Sequence, residues 1–243
     1  MDDQVTRLVD KAWGKLQQLP DDRRLLIAIA GIPGSGKTTL SKAVTAALNA
    51  RHAAQNPGPA GSAAAAAAAP IAVFVPMDGF HLTRAQLSAM PDPARAHARR
   101  GAEFTFDGAA FLGLVRALRG PATATVYAPS FDHAVKDPRP DDIAILPAHR
   151  AVVLEGNYVC LDREPWRAAA ALADERWFVA VDAAAARRRL VARHVRAGIA
   201  PDAAAAARRA DENDLVNAQQ ILAERLDVDE LVVSREDAAW VHD

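Results

Sequence analysis

The residues Gly31-Ile32-Pro33-Gly34-Ser35-Gly36-Lys37-Thr38, with Thr39 behind them, combine types that rarely meet by accident. They match the pattern G-x-x-x-x-G-K-[ST]. Glycine carries no Cβ, so the backbone can adopt positive φ and converge its N–H groups on one point. Such a loop is an anion nest, and a helix starting at Lys37 adds its free N–H groups and the positive end of its dipole. The chemistry implied is nucleotide binding. Gly31, Pro33, Gly34, Ser35, Gly36, Lys37, Thr38 and Thr39 cradle the phosphates of ATP, Lys37 reaches the outer ones, and the Thr38 hydroxyl ligates Mg2+.

Two acids stand at comparable places. Asp78 follows the apolar run Ile71–Val75, and Glu155 ends the run Ala151–Leu154. Asp78 could be a plain turn acid or a distant helix cap before Thr83. The sharper reading is a general base that takes the proton of an acceptor hydroxyl as it attacks the γ-phosphate. Glu155 looks like a metal-linked acid, holding Mg2+ together with Thr38. The rival role, a base activating water, would make the protein an ATPase. Gly156 follows Glu155, so no second acid stands beside it to divide metal binding from water activation. Asn157, two residues on, is a candidate for the acceptor.

Basic and polar residues complete the set. Arg187, Arg188 and Arg189 follow a strand, and Arg189, Arg193 and Arg196 share a helical face. They read either as a solvated face or as a lid spanning about 187–215, with Arg189 on the nucleotide and Arg193 on the transferring phosphoryl group. His81, Arg100, Phe104, Tyr127, His133 and Lys136 lie in polar stretches after strands and are candidates for the acceptor pocket. His81 and His133 could equally be ordinary loop histidines.

These residues need a scaffold that gathers them. Leu25–Ala30 is a continuous apolar run before the glycine loop, and Leu40, Ala43, Val44, Ala47 and Leu48 recur behind it at helical spacing. Further strands are expected at Ile71–Val75, Ala124–Tyr127, Ala151–Glu155, Trp177–Asp182 and Leu231–Val233, with Ile143–Leu146 outside the central sheet. Helices are expected at Val5–Leu16, Phe106–Leu118, Ala183–Arg196 and Asp211–Leu226. Strands alternating with helices predict a parallel sheet covered on both faces, with ligands at the C-terminal strand ends. Residues 51–70, rich in Pro, Gly, Ser and Ala, read as a low-complexity insertion in one domain of 243 residues.

Bulk properties narrow the class. The chain is 51% hydrophobic and 24% charged with a net charge of −1, which offers no basic field for nucleic acid. No apolar run is long enough to cross a membrane. The single Cys160 excludes an intramolecular disulfide, and the acidic start Met1-Asp2-Asp3 lacks a signal-peptide core, so a cytoplasmic monomer or homodimer is expected.

On "GIPGSGKTTLS", "PMDGFH", "RRGAEFTFD", "VYAPSFDHAVKDP", "VVLEGNY" and "ADENDLVNAQQI", the chain resembles the P-loop small-molecule kinases that include uridine kinase, phosphoribulokinase and prokaryotic pantothenate kinase. It is most similar to a branch labelled as fructose-transport-system kinase or uridine kinase-like. The resemblance runs from about Leu25 to Leu222. It implies an α/β P-loop NTPase fold of three layers, a five-stranded parallel core and a helical lid. It further implies ATP and Mg2+, a catalytic Asp78 and a metal-linked Glu155. Two positions depart from the nucleoside kinases: Gly79 stands where they carry serine, and Lys136 stands roughly where they carry an arginine.

The expected activity is therefore transfer of the γ-phosphoryl group of ATP to a hydroxyl of a small metabolite. The alternatives are an ATPase or GTPase without such an acceptor and a nucleotide-sensing module. An Asn-Lys-x-Asp guanine reader is absent from the sequence.

Overall fold

The computed structural model describes residues 2–57, 69–132 and 134–234. The chain opens with α1 (Asp2–Gln18), β1 (Leu25–Gly31), α2 (Lys37–Gln55) and β2 (Ala72–Pro76). Two short helices, α3 (Arg84–Ser88) and α4 (Pro93–Ala98), precede α5 (Gly108–Arg119) and an antiparallel ribbon of β3 (Val126–Asp132) and β4 (Asp137–Ile145). Then come β5 (Ala151–Gly156), α6 (Trp166–Ala170), β6 (Glu175–Ala180), α7 (Ala183–Arg196), α8 (Ala203–Arg209), a π-turn (Ala210–Asp214), α9 (Leu215–Ala223) and β7 (Glu230–Val233).

The sheet is five-stranded and parallel in the order β2-β5-β1-β6-β7. Alternation along β1 explains its two covered faces. Leu25, Ile27 and Ile29 pack with Leu8, Trp13, Leu40 and Val44 under α1 and α2. Leu26, Ala28 and Ala30 face Phe111, Val115, Tyr158 and Trp166 on the other side. Each large buried side chain contributes roughly 1.5–3 kcal/mol, so both layers are needed to hold the central strands.

Crossing back and forth places β2, β5 and β1 side by side. Pro76 on β2 and Ile29 on β1 both lie level with Glu155 on β5. The three segments that leave these strands are therefore neighbours, although they come from distant parts of the chain. Pro76 fits here because β2 is an edge strand and its missing N–H costs no ladder bond.

Several expectations need correction. The segment 81–100 contains two capped helices. Thr83 and Gln86 form a capping box for α3, and the Asp92 side chain caps α4 with Pro93 at its first turn. The distant cap role weighed for Asp78 is thus filled by Thr83. The polar stretch from Tyr127 to Lys136 continues as strand to Asp132 and turns back into β4, outside the central sheet. The helix expected from Asp211 begins eight residues earlier, at Ala203, passes through the π-turn and ends at Ala223. Helix α2 runs to Gln55, into the stretch read as insertion, while residues 58–68 of that insertion and His133 lie outside the described residues.

Candidate active site

The glycine loop leaves β1 and enters α2. Gly34 and Gly36 adopt φ of 79° and 89°, conformations that only glycine takes without strain. Gly36 caps α2 without any side-chain oxygen, so the first N–H groups of this 19-residue helix are left for an anion. A Cβ on Gly31 would lie 2.6 Å from Ser35 Oγ and 3.0 Å from the Val179 carbonyl, so the loop turns tightly over β6. Ser35 is buried, and its backbone N–H donates to the Ile32 carbonyl at 3.1 Å, closing the turn.

Lys37, Thr38, Asp78, Glu155 and Arg193 line one cavity of about 160 Å³ together with Pro33, His81, Gly101, Phe106, Asn157, Asp214 and Asn217. The Thr38 hydroxyl donates to Glu155 Oε1 at 3.2 Å. Glu155 is 6% exposed, and burial pushes its carboxyl up to about 7, against the pull of the Lys37 charge; Asp78 adds a further push. Burial also lowers the Lys37 ammonium, while Glu155 raises it and Arg193 lowers it. A pair of ionisable groups displaced in opposite directions within one cleft is the electrostatic mark of a functional site.

The pair Thr38 and Glu155 offers two hard oxygen ligands, and the protonation-prone carboxyl would gain from a cation. Among the described residues no cluster of three His, Cys, Asp or Glu side chains forms a metal cage. That suits Mg2+, which is usually held by one or two protein oxygens together with substrate phosphates and water.

Asp78 sits exposed in a 3₁₀ turn directly after β2. Its backbone carbonyl accepts from the His81 N–H at 3.1 Å and contacts His81 Nδ1 at 2.8 Å. The His81 ring stacks on Phe106 with centroids 4.0 Å apart. Gly79 has to be glycine for a steric reason: a Cβ there would lie 2.0 Å from the Pro129 carbonyl oxygen on β3. A Cβ on Gly156 would instead meet the Met77 side chain, which can yield where the backbone beside Gly79 cannot.

The structure does not bring every predicted residue to the cavity. Arg100 donates to the Leu82 carbonyl at 3.0 Å and to Asp137 at 3.2 Å and lies over the Phe131 ring. Phe104 packs under Arg95 at the surface. Tyr127 is 54% exposed on β3, and Lys136 sits in the turn of the ribbon with φ of 59°. Arg189 reaches the Gly34 carbonyl at 3.3 Å and Ser234 at 2.8 Å, bracing the glycine loop from the α7 side.

The site also contains groups the sequence reading left unassigned. Gly101, Phe106, Asp214 and Asn217 line the cavity. Asp214 Oδ2 lies 2.9 Å from Nε2 of buried His194 on α7. Arg99 forks onto Asn213 Oδ1 at 2.8 Å and Asn217 Oδ1 at 2.6 Å, and Tyr158 donates to the Gly101 carbonyl at 2.9 Å. The available signal was the spacing of Asn213 and Asn217, four apart and hence on one helical side. The helical unit is further tied by the Arg187–Asp211 pair at 2.6 and 2.7 Å. The π-turn that carries Asp211 and Asp214 is a deviation often found at functional sites.

No family model matches the chain. Over 159 residues it is 61% identical to the ATP-dependent kinase-like protein notR' of Aspergillus versicolor, covering 64% of this chain and 92% of that one. It is 38% identical over 202 residues to a provisionally named uridine kinase of Schizosaccharomyces pombe, covering 83% of this chain and 80% of the relative. Among solved structures, YFH7 of Saccharomyces cerevisiae superposes with a TM-score of 0.78 at 25% identity over 96% of this chain and 99% of that one. A provisionally named fructose transport system kinase from a Silicibacter species superposes with a TM-score of 0.73 at 34% identity over 92% of this chain and 98% of that one. The chain belongs to the P-loop kinases of the uridine kinase and phosphoribulokinase family.

Proposed function

We propose that the chain transfers the γ-phosphoryl group of ATP to a hydroxyl of a small acceptor, with Mg2+ bound at Thr38 and Glu155. One observation carries this reading. An exposed carboxylate, Asp78, faces the same cavity as Lys37, Thr38 and Glu155 yet belongs to a different strand end. It is free to meet a second substrate.

The glycine loop and the first turn of α2 bind the β- and γ-phosphates, and Lys37 places a point charge on the group in transfer. Mg2+ supplies further neutralisation of phosphate charge when bound. Asp78 accepts the proton of the acceptor hydroxyl and orients that oxygen towards phosphorus. Arg193, projecting from α7 into the cavity, neutralises charge that develops as the bond to the leaving oxygen stretches. Helices α7 and α8 with the π-turn act as the lid.

Hydrolysis by water activated at Glu155 has one observation in its favour, the carboxyl raised to about 7. Against it, Glu155 is hydrogen-bonded to Thr38 and beside Lys37, which suits a metal ligand, and Asp78 would have no role. The test is ADP formation by the purified protein with ATP and Mg2+, with and without a panel of hydroxylated metabolites. Turnover that rises only with an acceptor supports the kinase. Equal turnover in its absence identifies a hydrolase.

A further inference from the structure

The acceptor part of the cavity has a definite polarity. Lys37 and Arg193 sense each other's charge, and the proposed reaction engages both with the phosphates of ATP. The remaining wall carries two carboxylates, Asp78 and Asp214, two amides, Asn157 and Asn217, the rings of His81 and Phe106, and Pro33 and Gly101. Hydrogen-bond acceptors dominate it. The Asn157 Oδ1 is buried without a partner, a group that costs stability until a donor reaches it. Asp214 uses one oxygen on His194 and keeps the other. Arginine can only donate, so Arg99 fixes the Asn217 amide with its oxygen turned away and its NH2 group available as a donor.

The nearby cations that could have read an anionic acceptor are already engaged. The Arg99 guanidinium is held by Asn213 and Asn217, and Arg100 by Leu82, Asp137 and the Phe131 ring. Neither lines the cavity.

We infer that the acceptor is an uncharged polyhydroxylated molecule, without phosphate or carboxylate, whose hydroxyls donate to Asp78, Asp214 and Asn157. This rests on the kinase reading and narrows it. A sugar phosphate or a hydroxy acid would bring a second negative charge beside two carboxylates while the proposed reaction commits Lys37 and Arg193 to ATP, and repulsion in a cleft of low dielectric is poorly screened. A neutral polyol instead supplies hydroxyl donors to the carboxylates of Asp78 and Asp214 and to the buried Asn157 oxygen.

The experiment compares neutral acceptors with anionic counterparts that keep a primary hydroxyl for transfer: ribose with ribonate, fructose with fructose 6-phosphate, glycerol with glycerate, and uridine with uridine 3′-monophosphate. ADP release is measured with ATP and Mg2+ for the whole chain and for Asp214→Asn. Within the active pairs the neutral member is expected to have at least a hundredfold higher kcat/KM. In Asp214→Asn that ratio is expected to fall at least tenfold, because one of the repelling carboxylates is gone; a purely structural role would lower both members alike and leave the ratio unchanged. Preference for the anionic member, or an unchanged ratio in the variant, overturns the inference while leaving the kinase reading intact. Acceptor-independent ADP release overturns both.

Discussion

The Thr38 hydroxyl donates to Glu155 at 3.2 Å although 117 residues separate them in the chain. The contact follows from strand pairing: β1 and β5 run parallel with Ile29 level with Glu155, so the loop leaving β1 must pass over the end of β5. The pair turns a topological fact into a metal-binding proposal with a measurable electrostatic signature.

That signature is a stability slope. The Glu155 carboxyl is raised from 4.5 to about 7 in the folded chain, chiefly by burial. Between those values the native state keeps a proton that the unfolded chain has lost, so stability falls as pH rises through the window and the full cost is present above it. Without nucleotide, Glu155→Gln should match the wild type near pH 4.5 and exceed it at pH 8 by up to about 3 kcal/mol. Adding Mg2+ with ATP at pH 8 should stabilise the wild type more than the variant. Urea denaturation across pH 4.5–8 reads both effects. A flat difference across that range would show that Glu155 ionises normally.

Lys37→Ala tests the glycine loop. The ammonium is shielded from water, which lowers its pKa and strengthens its field on anything bound beside it. Its loss should reduce kcat by roughly 10²–10³-fold, the range for removing one preorganised charge-stabilising donor. The coupled ADP assay checks this, and near-normal turnover would remove Lys37 from the chemistry.

Gly79 gives a prediction about specificity patterns. A serine here, as in the nucleoside kinases the sequence resembles, would drive its Cβ to 2.0 Å from the Pro129 carbonyl. The β3–β4 ribbon would have to move. Gly79→Ser should cost about 1–3 kcal/mol, as overpacking usually does, and should lower acceptor turnover because Asp78 shares the same turn. Thermal unfolding and acceptor kinetics measure the two consequences separately. A variant of unchanged stability would mean the ribbon gives way freely.

How much of this was legible in the sequence depended on the range of the interactions involved. The central strands were readable because each is a continuous apolar run buried on both faces, and the glycine loop because its backbone conformation demands glycine at Gly34 and Gly36. The ribbon was not. Asp137–Ile145 contains Pro138 and Pro140, and its exposed, polar residues carry no alternating apolar signal, so Tyr127 and Lys136 were expected at the site and stand away from it. Asp214 and Asn217 carry no local signal of a role, since the fork from Arg99 and the contact with His194 orient them. Those partners lie 118 and 20 residues away.

The last prediction separates the two acids. Asp78→Asn keeps the size of the side chain and removes the proton acceptor. The phosphates are held by the glycine loop, α2 and Lys37, none of which touches residue 78 through a hydrogen bond found in the structure, so ATP binding should persist at near wild-type affinity. Phosphoryl transfer should fall by roughly 10²–10⁴-fold, the usual contribution of a positioned general base. Glu155→Gln should behave differently, weakening Mg2+-dependent ATP binding along with turnover, because it deletes the charged ligand paired with Thr38. Isothermal titration with ATP and Mg2+, beside single-turnover transfer to the acceptor, distinguishes the two patterns. If Asp78→Asn leaves ATP turnover untouched, with no phosphorylated acceptor formed, while Glu155→Gln abolishes turnover with ATP still bound, the reacting proton is handled at Glu155, water is the nucleophile, and the protein is a hydrolase.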